Sequence, residues 1–394
     1  MDAPMNPARW TSSRRAMLQQ TGAGAIGLAL AACAPAAAPA PAPPAVVPAA
    51  PAAARPEWSD RWDKTVAAAR QEGALTLLIT GSAGYAGSID GFRKAYPGIE
   101  VDAQGPSAMG TIAQKLIGER KAGLFTWDVA QIYTVTAFST FKAEGFWAPI
   151  RPTLIRPEVT EDANWYGGFE YGFLDAGKKI AYGFSWEKQI TLFYNSDLVA
   201  PGEVKTLQDL LSPKWKGKLV FLEPWTSGSS FTAATAMRLK AGNGVLKQLF
   251  VDQEVAISRD ARLVTEDLVR GKYAIGTADV ARLSELQGQG VGANVKLLDI
   301  PEITMIRENS VFLFDKAPHP NAAAVFINWL LSKDGQVAWS RDGRANSRRR
   351  DVPPLSRDLA LSDGDEKKFV RANVEDTLPR MIESQELLKQ LLVR

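Results

Sequence analysis

The best candidate for ligand chemistry is Thr226-Ser227-Gly228-Ser229-Ser230. It follows an apolar run and opens a helical pattern, so it would set free N–H groups and two or three hydroxyls at the positive end of a helix. Carboxylate or phosphate oxygens suit such a place. An ordinary helix cap would use the same residues. Ser82, Ala83 and Gly84 also follow an apolar run, where small residues let a ligand approach the backbone or simply make a turn. Tyr133 could offer a ring face or a hydroxyl, or pack internally. Trp186 and Trp225 could stack on a flat ligand, although in a chain with 11 Trp the interior is the commoner place for one. Arg259, Arg262 and Arg282 could each grip an acid bidentately, and of these only Arg282 gains from its position, just past a strand end. Asp279, nearby, could meet an ammonium group.

Other chemistries lack their parts. The chain has one Cys and one His, so an internal disulfide and a Cys/His zinc site are both excluded. His319 precedes Pro320 and Asn321 at the start of a helical pattern (Ala322, Val325, Phe326, Trp329, Leu330), which reads as a turn with Asn321 capping the helix. No nucleophile is fixed near His319 by sequence, and we expect no catalytic residue, metal ligand set or cofactor. No GxxxxGK[ST] phosphate loop is present. Glu187, Glu223 and Asp279 are the carboxylates from which an exported hydrolase would have to draw, and nothing in their spacing makes two of them face one substrate.

The N-terminus reads as an address. Ser13-Arg14-Arg15-Ala16-Met17-Leu18 resembles the twin-arginine export signature, with Met17 and Gln19 where that pattern prefers Phe and Lys. An apolar stretch over residues 22–32, too short to span a bilayer, leads to Leu30-Ala31-Ala32-Cys33, which matches a bacterial lipobox. Cys33 is then the lipidated first residue of the mature chain. Residues 34–54 contain only Ala, Pro and Val, an extended tether of polyproline-II character. At about 3.1 Å per residue it would reach about 60 Å. The net charge is +3, and the first 32 residues hold Arg9, Arg14 and Arg15 against Asp2. The remainder is near neutral, which argues against a nucleic-acid binder.

The elements that must position these residues alternate. Residues 62–71 read as a helix, 74–80 as a buried strand, 89–96 as a helix stopped by Pro97-Gly98, and 99–102 as a strand. A helix over 110–121 and a strand over 127–132 continue the pattern. This order predicts an open α/β sheet with ligands at the carboxyl ends of its strands, which makes 81–88, 104–110 and 133–134 the loops to watch. A second α/β unit runs from about 189 to 301, with strands at 190–194, 219–222, 274–277 and 295–298 and helices near 231–239, 244–250 and 265–270.

Five fragments carry a resemblance. Trp127-Asp128-Val129, the run from Pro213 to Lys218 (PKWKGK), Thr226-Ser227-Gly228-Ser229, His319-Pro320-Asn321 through Gln336, and Asn346 through Val352 come in the order seen in bacterial extracellular solute-binding proteins of ABC importers. The chain resembles the branch of that family that holds the ferric-iron-binding proteins and their relatives for small organic anions. The resemblance implies a type II periplasmic binding fold, with two α/β lobes joined by crossing strands and a ligand between them. It divides the chain into an export signal (1–32), a tether (33–55), the first part of lobe one (56–185), lobe two (186–305), and a return to lobe one with C-terminal helices (306–394).

The resemblance also implies that the Thr226–Ser230 loop faces the cleft and touches an anion. In the ferric-binding relatives a tyrosine pair follows the strand matching 274–277, and here those positions are Ala278 and Asp279. Tyr273 precedes the strand. A carboxylate or phosphorylated solute is therefore the expected ligand, held by helix-end amides with Arg282 as counter-charge. Ferric iron, a zwitterion and a polyamine remain alternatives. The implied protein is a monomeric, non-enzymatic lipoprotein that serves a membrane permease and its ATPase from the periplasmic side. A sensor receptor with the same fold is the rival use.

Overall fold

The computed structural model describes residues 55–105, 110–226 and 228–393. Cys33, the export signal and the tether up to residue 54 lie outside the described residues, as does Ser227.

Strand β1 (Ala74–Ile79) is apolar except for Thr76 because both its faces are covered. Leu75, Leu77 and Ile79 pack against helices Glu57–Glu72, Ala86–Ala95 and Pro320–Leu331, while Leu78 faces Leu116, Phe141 and Trp147 on the other side. β1 pairs in parallel with β2 (Glu100–Gln104) and β3 (Val129–Gln131). The rest of the sheet is antiparallel. β13 (Ser310–Phe314) runs antiparallel to β3 and to the short strands β4 (Trp147–Ala148) and β5 (Ala181–Gly183).

A second sheet has the order β11-β7-β10-β8-β9. Its members are β7 (Leu192–Asn195), β8 (Leu219–Leu222), β9 (Ala256–Ser258), β10 (Ile275–Gly276) and β11 (Val295–Leu298). β8 is parallel to β9 and β10, and β7 is antiparallel to β10 and β11. Gly276 is obligatory at the centre, since a Cβ there would lie 2.2 Å from the Val220 carbonyl oxygen. Helix Ser229–Ala241 buries Phe231, Ala234 and Met237 against this sheet.

A three-stranded ribbon, β14-β12-β6, links the two lobes. β6 (Glu187–Gln189) leaves the first sheet for the second, and β12 (Met305–Arg307) brings the chain back antiparallel to it. β14 (Val370–Arg371) adds in parallel to β12. The C-terminal helix, Leu378–Leu392, has an end in each lobe. Leu378 joins the core beside Phe138 and Phe141 of the first lobe, whereas Leu388 is buried in the second. Arg238 ties the helix down, its Nε donating to Ser384 Oγ at 2.7 Å.

The helix at His319 begins as expected, but Asn321 is not its cap. The Glu72 carboxylate accepts from the Asn321 and Ala322 amides, at 3.1 and 2.7 Å, and from Asn321 Nδ2 at 2.6 Å. His319 holds the buried Asp128 through its amide (2.8 Å) and Nδ1 (2.9 Å), and Asp128 also accepts from the Thr76 amide. Burial pushes the Asp128 carboxyl up, against the pull of these donors.

Candidate functional site at the crossing ribbon

The carboxyl ends of β1 and β3 meet the turn from β12 into β13. After β1, Thr80 leads into Gly81, whose φ of 70° starts the turn Ser82–Tyr85. After β3 comes Tyr133, 60% exposed, before the short helix Thr134–Thr136. Arg307, Glu308 and Asn309 join β12 to β13 beside them. Together these segments enclose a cavity of about 190 Å³ whose wall includes Thr80, Tyr85, Gln131, Tyr133, Arg307 and Glu308.

Each charged group on this wall has a countercharge. Arg307 Nη2 donates to Glu187 on the paired strand β6. Arg371 on β14 donates to Glu308 Oε1, through Nε at 2.9 Å and through Nη2, and lies 4.0 Å over the ring of Tyr171. Burial pushes the Glu308 carboxyl up and the Arg371 charge opposes that shift. Burial also raises the Tyr85 phenol, so at neutral pH its hydroxyl is a hydrogen-bond donor. The Tyr85 ring is fixed by stacking on Trp339 at 4.3 Å.

In the second lobe the start of helix Ser229–Ala241 adjoins the same ribbon. Gly228 is its N-cap, at φ 148° and ψ −168°, a conformation costly for any residue with a Cβ. The first turn is anchored from below. Ser230 Oγ lies 2.8 Å from Thr277 Oγ1, which accepts the Leu222 amide at 3.0 Å. Thr232 donates its amide and hydroxyl to the Gly228 carbonyl, and Gln189 of β6 reaches Thr232 Oγ1 at 3.4 Å. Gly228 is exposed, Ser229 half-buried and Ser230 buried, and Gly228 offers no side chain to cap the amides of the first turn.

Two α/β lobes, a crossing ribbon, and strand ends and a helix start gathered at it match a known architecture. The model for bacterial extracellular solute-binding proteins matches residues 78–337, well over half of the chain. The chain belongs to that family. Its fold is that of type II periplasmic binding proteins. It is similar to apo FutA2 from Synechocystis PCC6803 (TM-score 0.61, 17% identity, 82% of this chain and 99% of that one). It is similar also to iron-bound HitA from Pseudomonas aeruginosa (0.57, 17%, 81% and 99%). A third likeness is to the spermidine/putrescine transporter protein PotD from Streptococcus pneumoniae (0.59, 14%, 81% and 98%). No curated protein matches by sequence. Membership makes the chain an extracellular solute-binding protein rather than an enzyme.

In this solute-binding protein the residues expected to touch ligand fall into two groups. Ser82, Ala83 and Gly84 form the open turn after β1, Tyr133 stands on the cavity wall, and Gly228 and Ser229 form the helix start. The others are engaged elsewhere. Trp186 is 1% exposed, with its ring stacked on Tyr166 at 5.3 Å and edged by Tyr171, so no face is left for a ligand. Trp225 packs on the second-lobe core, and its carbonyl accepts from Gln385. Asp279 caps helix Val280–Gly288 through Oδ1, which accepts from the Ala281 and Arg282 amides, and Oδ2 takes no part in the cap. Arg282 is held by Glu266 and Glu285 at 2.8 and 2.9 Å and is not an open counter-charge. Arg259 and Arg262 pair with Glu223 and Glu266.

The carboxylates considered for hydrolysis are likewise committed: Glu187 to Arg307, Glu223 to Arg259, and Asp279 to its helix. Sequence reading passed over Thr80, Gln131 and Glu308. The available signal was polarity out of place, with Gln131 closing an apolar strand and Glu308-Asn309 interrupting two apolar runs.

Proposed function

We propose that this chain is the solute receptor of an ABC importer, taking a small solute with a carboxylate or phosphate group between its lobes and passing it to a membrane permease with a separate ATPase. The reading includes export by the N-terminal signal, a lipid on Cys33, and the Ala/Pro tether as leash. The observation that carries it is family membership, supported by strand ends and ribbon lining one cavity in the first lobe and by a helix start in the second that Gln189 of the ribbon reaches. The acid end of the solute would meet the amides at Gly228 and Ser229, where the helix dipole favours negative charge. Ferric iron is a weaker fit. The positions after β10 where a tyrosine pair is expected for ferric iron hold Ala278, which is buried, and Asp279, which caps its helix through Oδ1.

Calorimetric titration of the full chain with small carboxylates, phosphorylated compounds, polyamines and ferric iron tests the ligand class. Ser229→Asp is the deciding variant. An acid in the first turn is good for the helix, so stability should hold or rise, while affinity for an acid should fall at least about tenfold. Unchanged acid affinity, or a response to iron or polyamine alone, would remove the helix end from the site. Cys33→Ser should move the chain from the membrane fraction to the soluble periplasm.

A further inference from the structure

The wall of the 190 Å³ cavity carries two charged side chains, Arg307 and Glu308, and only one of them reaches open space. The Glu308 side chain is fully buried and held by Arg371. Glu308 Oε2, Gln131 Oε1 and Thr80 Oγ1 are all sealed, so these acceptors are closed to anything in the cavity. Arg307 is the opposite case. Its side chain is 49% exposed, and among the described residues its one hydrogen-bond partner is Glu187, which accepts from Nη2.

Glu187 is buried and lies opposite Arg307 in the pairing of β6 with β12, so it anchors the guanidinium without covering it. Nε and Nη1 can only donate, and both are left for a further acceptor. Arg282 shows the contrast: its Nη1 and Nη2 are each on a carboxylate, and its side chain is 22% exposed. Two phenols stand beside Arg307 on the same wall. Tyr133 is exposed, and burial raises the Tyr85 phenol while the Arg307 charge opposes that shift, which puts ring and guanidinium side by side. The open part of the wall is therefore an anchored cation between two hydroxyls able to donate. An acid with two or more free oxygens matches that set, because a guanidinium grips it bidentately. An ammonium group would meet a like charge.

We propose that Arg307, flanked by Tyr85 and Tyr133, seats an acid group of the solute, a carboxylate or a phosphate, in the first lobe. The guanidinium then bridges Glu187 and the solute, as Arg282 bridges Glu266 and Glu285. The inference rests on the receptor reading above for an acid solute and makes no use of the helix start in the second lobe.

The test is titration of the full chain, by calorimetry and ligand-observed NMR, with butanoate, butyl phosphate and butanamide, an uncharged match for butanoate. The better of the two acids should bind at least about tenfold more tightly than butanamide, and which acid it is separates a carboxylate solute from a phosphate one. Arg307→Gln should erase most of that difference, and Tyr133→Phe should weaken the acid about threefold. Glu187→Gln has the opposite sign. It removes the carboxylate that shares the guanidinium yet keeps an acceptor for Nη2, so acid affinity should rise about threefold, whereas a merely structural pair would show a loss. Because Arg307→Gln leaves Glu187 buried without its cation, the double variant Arg307→Gln/Glu187→Gln repeats the test with the pair neutralised. Acid affinity within about twofold of wild type in either Arg307 variant, or a fall in folded Glu187→Gln, overturns the seat. The acid reading then stands or falls on the Ser229→Asp titration. No preference for either acid over butanamide, or no binding by any probe, overturns the seat and the acid reading together.

Discussion

Glu266 in the second lobe receives hydrogen bonds from Arg262, Arg282 and Arg270, each at 2.8 Å. The bonds from Arg262 and then Arg282 pull its carboxyl from 4.5 down to about 2. A carboxyl lowered in the folded state contributes stability that is fully present above its unfolded value of about 4.5 and is lost as pH falls towards 2. Glu266→Gln should therefore flatten the acid limb of a denaturation-versus-pH profile in that window and leave the neutral region little changed. Arg282→Ala should leave solute affinity within about twofold, because the guanidinium is bound to two carboxylates of its own lobe. A large affinity loss would return Arg282 to the site. Residues such as Arg282 and Asp279 look available in sequence because their partners cannot be seen there: Asp279 binds amides only two and three positions on, and Glu266 reaches Arg282 from another helix. Thr80, Gln131 and Glu308 show the reverse, since lack of a partner is a property of the folded state alone.

Helix Pro320–Leu331 shows what the element scale adds. Ten of its twelve residues are buried, and its first amides are closed from outside by Glu72 at the end of helix Glu57–Glu72. Glu72→Ala should cost about 1–2 kcal/mol in urea denaturation, in line with loss of a helix cap, and Asn321→Ala distinctly less, because Asn321 donates to Glu72 rather than capping. Equal effects would restore the cap to Asn321. The strands and helices were largely legible from apolar periodicity, and β8 and β11 match the expected ranges residue for residue. Strand direction was not. A short apolar run reads alike whether its neighbour is parallel or antiparallel, so β13 beside β3 gave no local sign. The lobe that covers the C-terminal helix is equally hidden from the sequence, because it is decided by long-range packing such as that of Leu388 and Arg238.

At the scale of the molecule, the second sheet joins the first through β6 and β12, and the helix Leu378–Leu392 has one end in each lobe's core. Ribbon strands already hydrogen-bonded to one another can flex as a unit while each lobe keeps its packing, which is the geometry of hinge closure. Closure would bring the turn after β1 and Tyr133 towards Gly228 and Ser229, burying a solute from both sides. Hydrogen exchange with a bound solute should then slow together at residues 80–85 and 131–134 of the first lobe and 228–232 of the second. The ribbon at Glu187–Gln189 and Met305–Arg307 should change little, and small-angle scattering should report a smaller radius of gyration. The helix Leu378–Leu392 makes the prediction sharper. Met381 packs against both cores, so a rotation between lobes must shift that contact, and exchange near Met381 should respond although no solute touches it. Protection confined to the first lobe, with Met381 and the radius of gyration unchanged, would mean that solute binds without closure and that the ribbon is a rigid strut rather than a hinge.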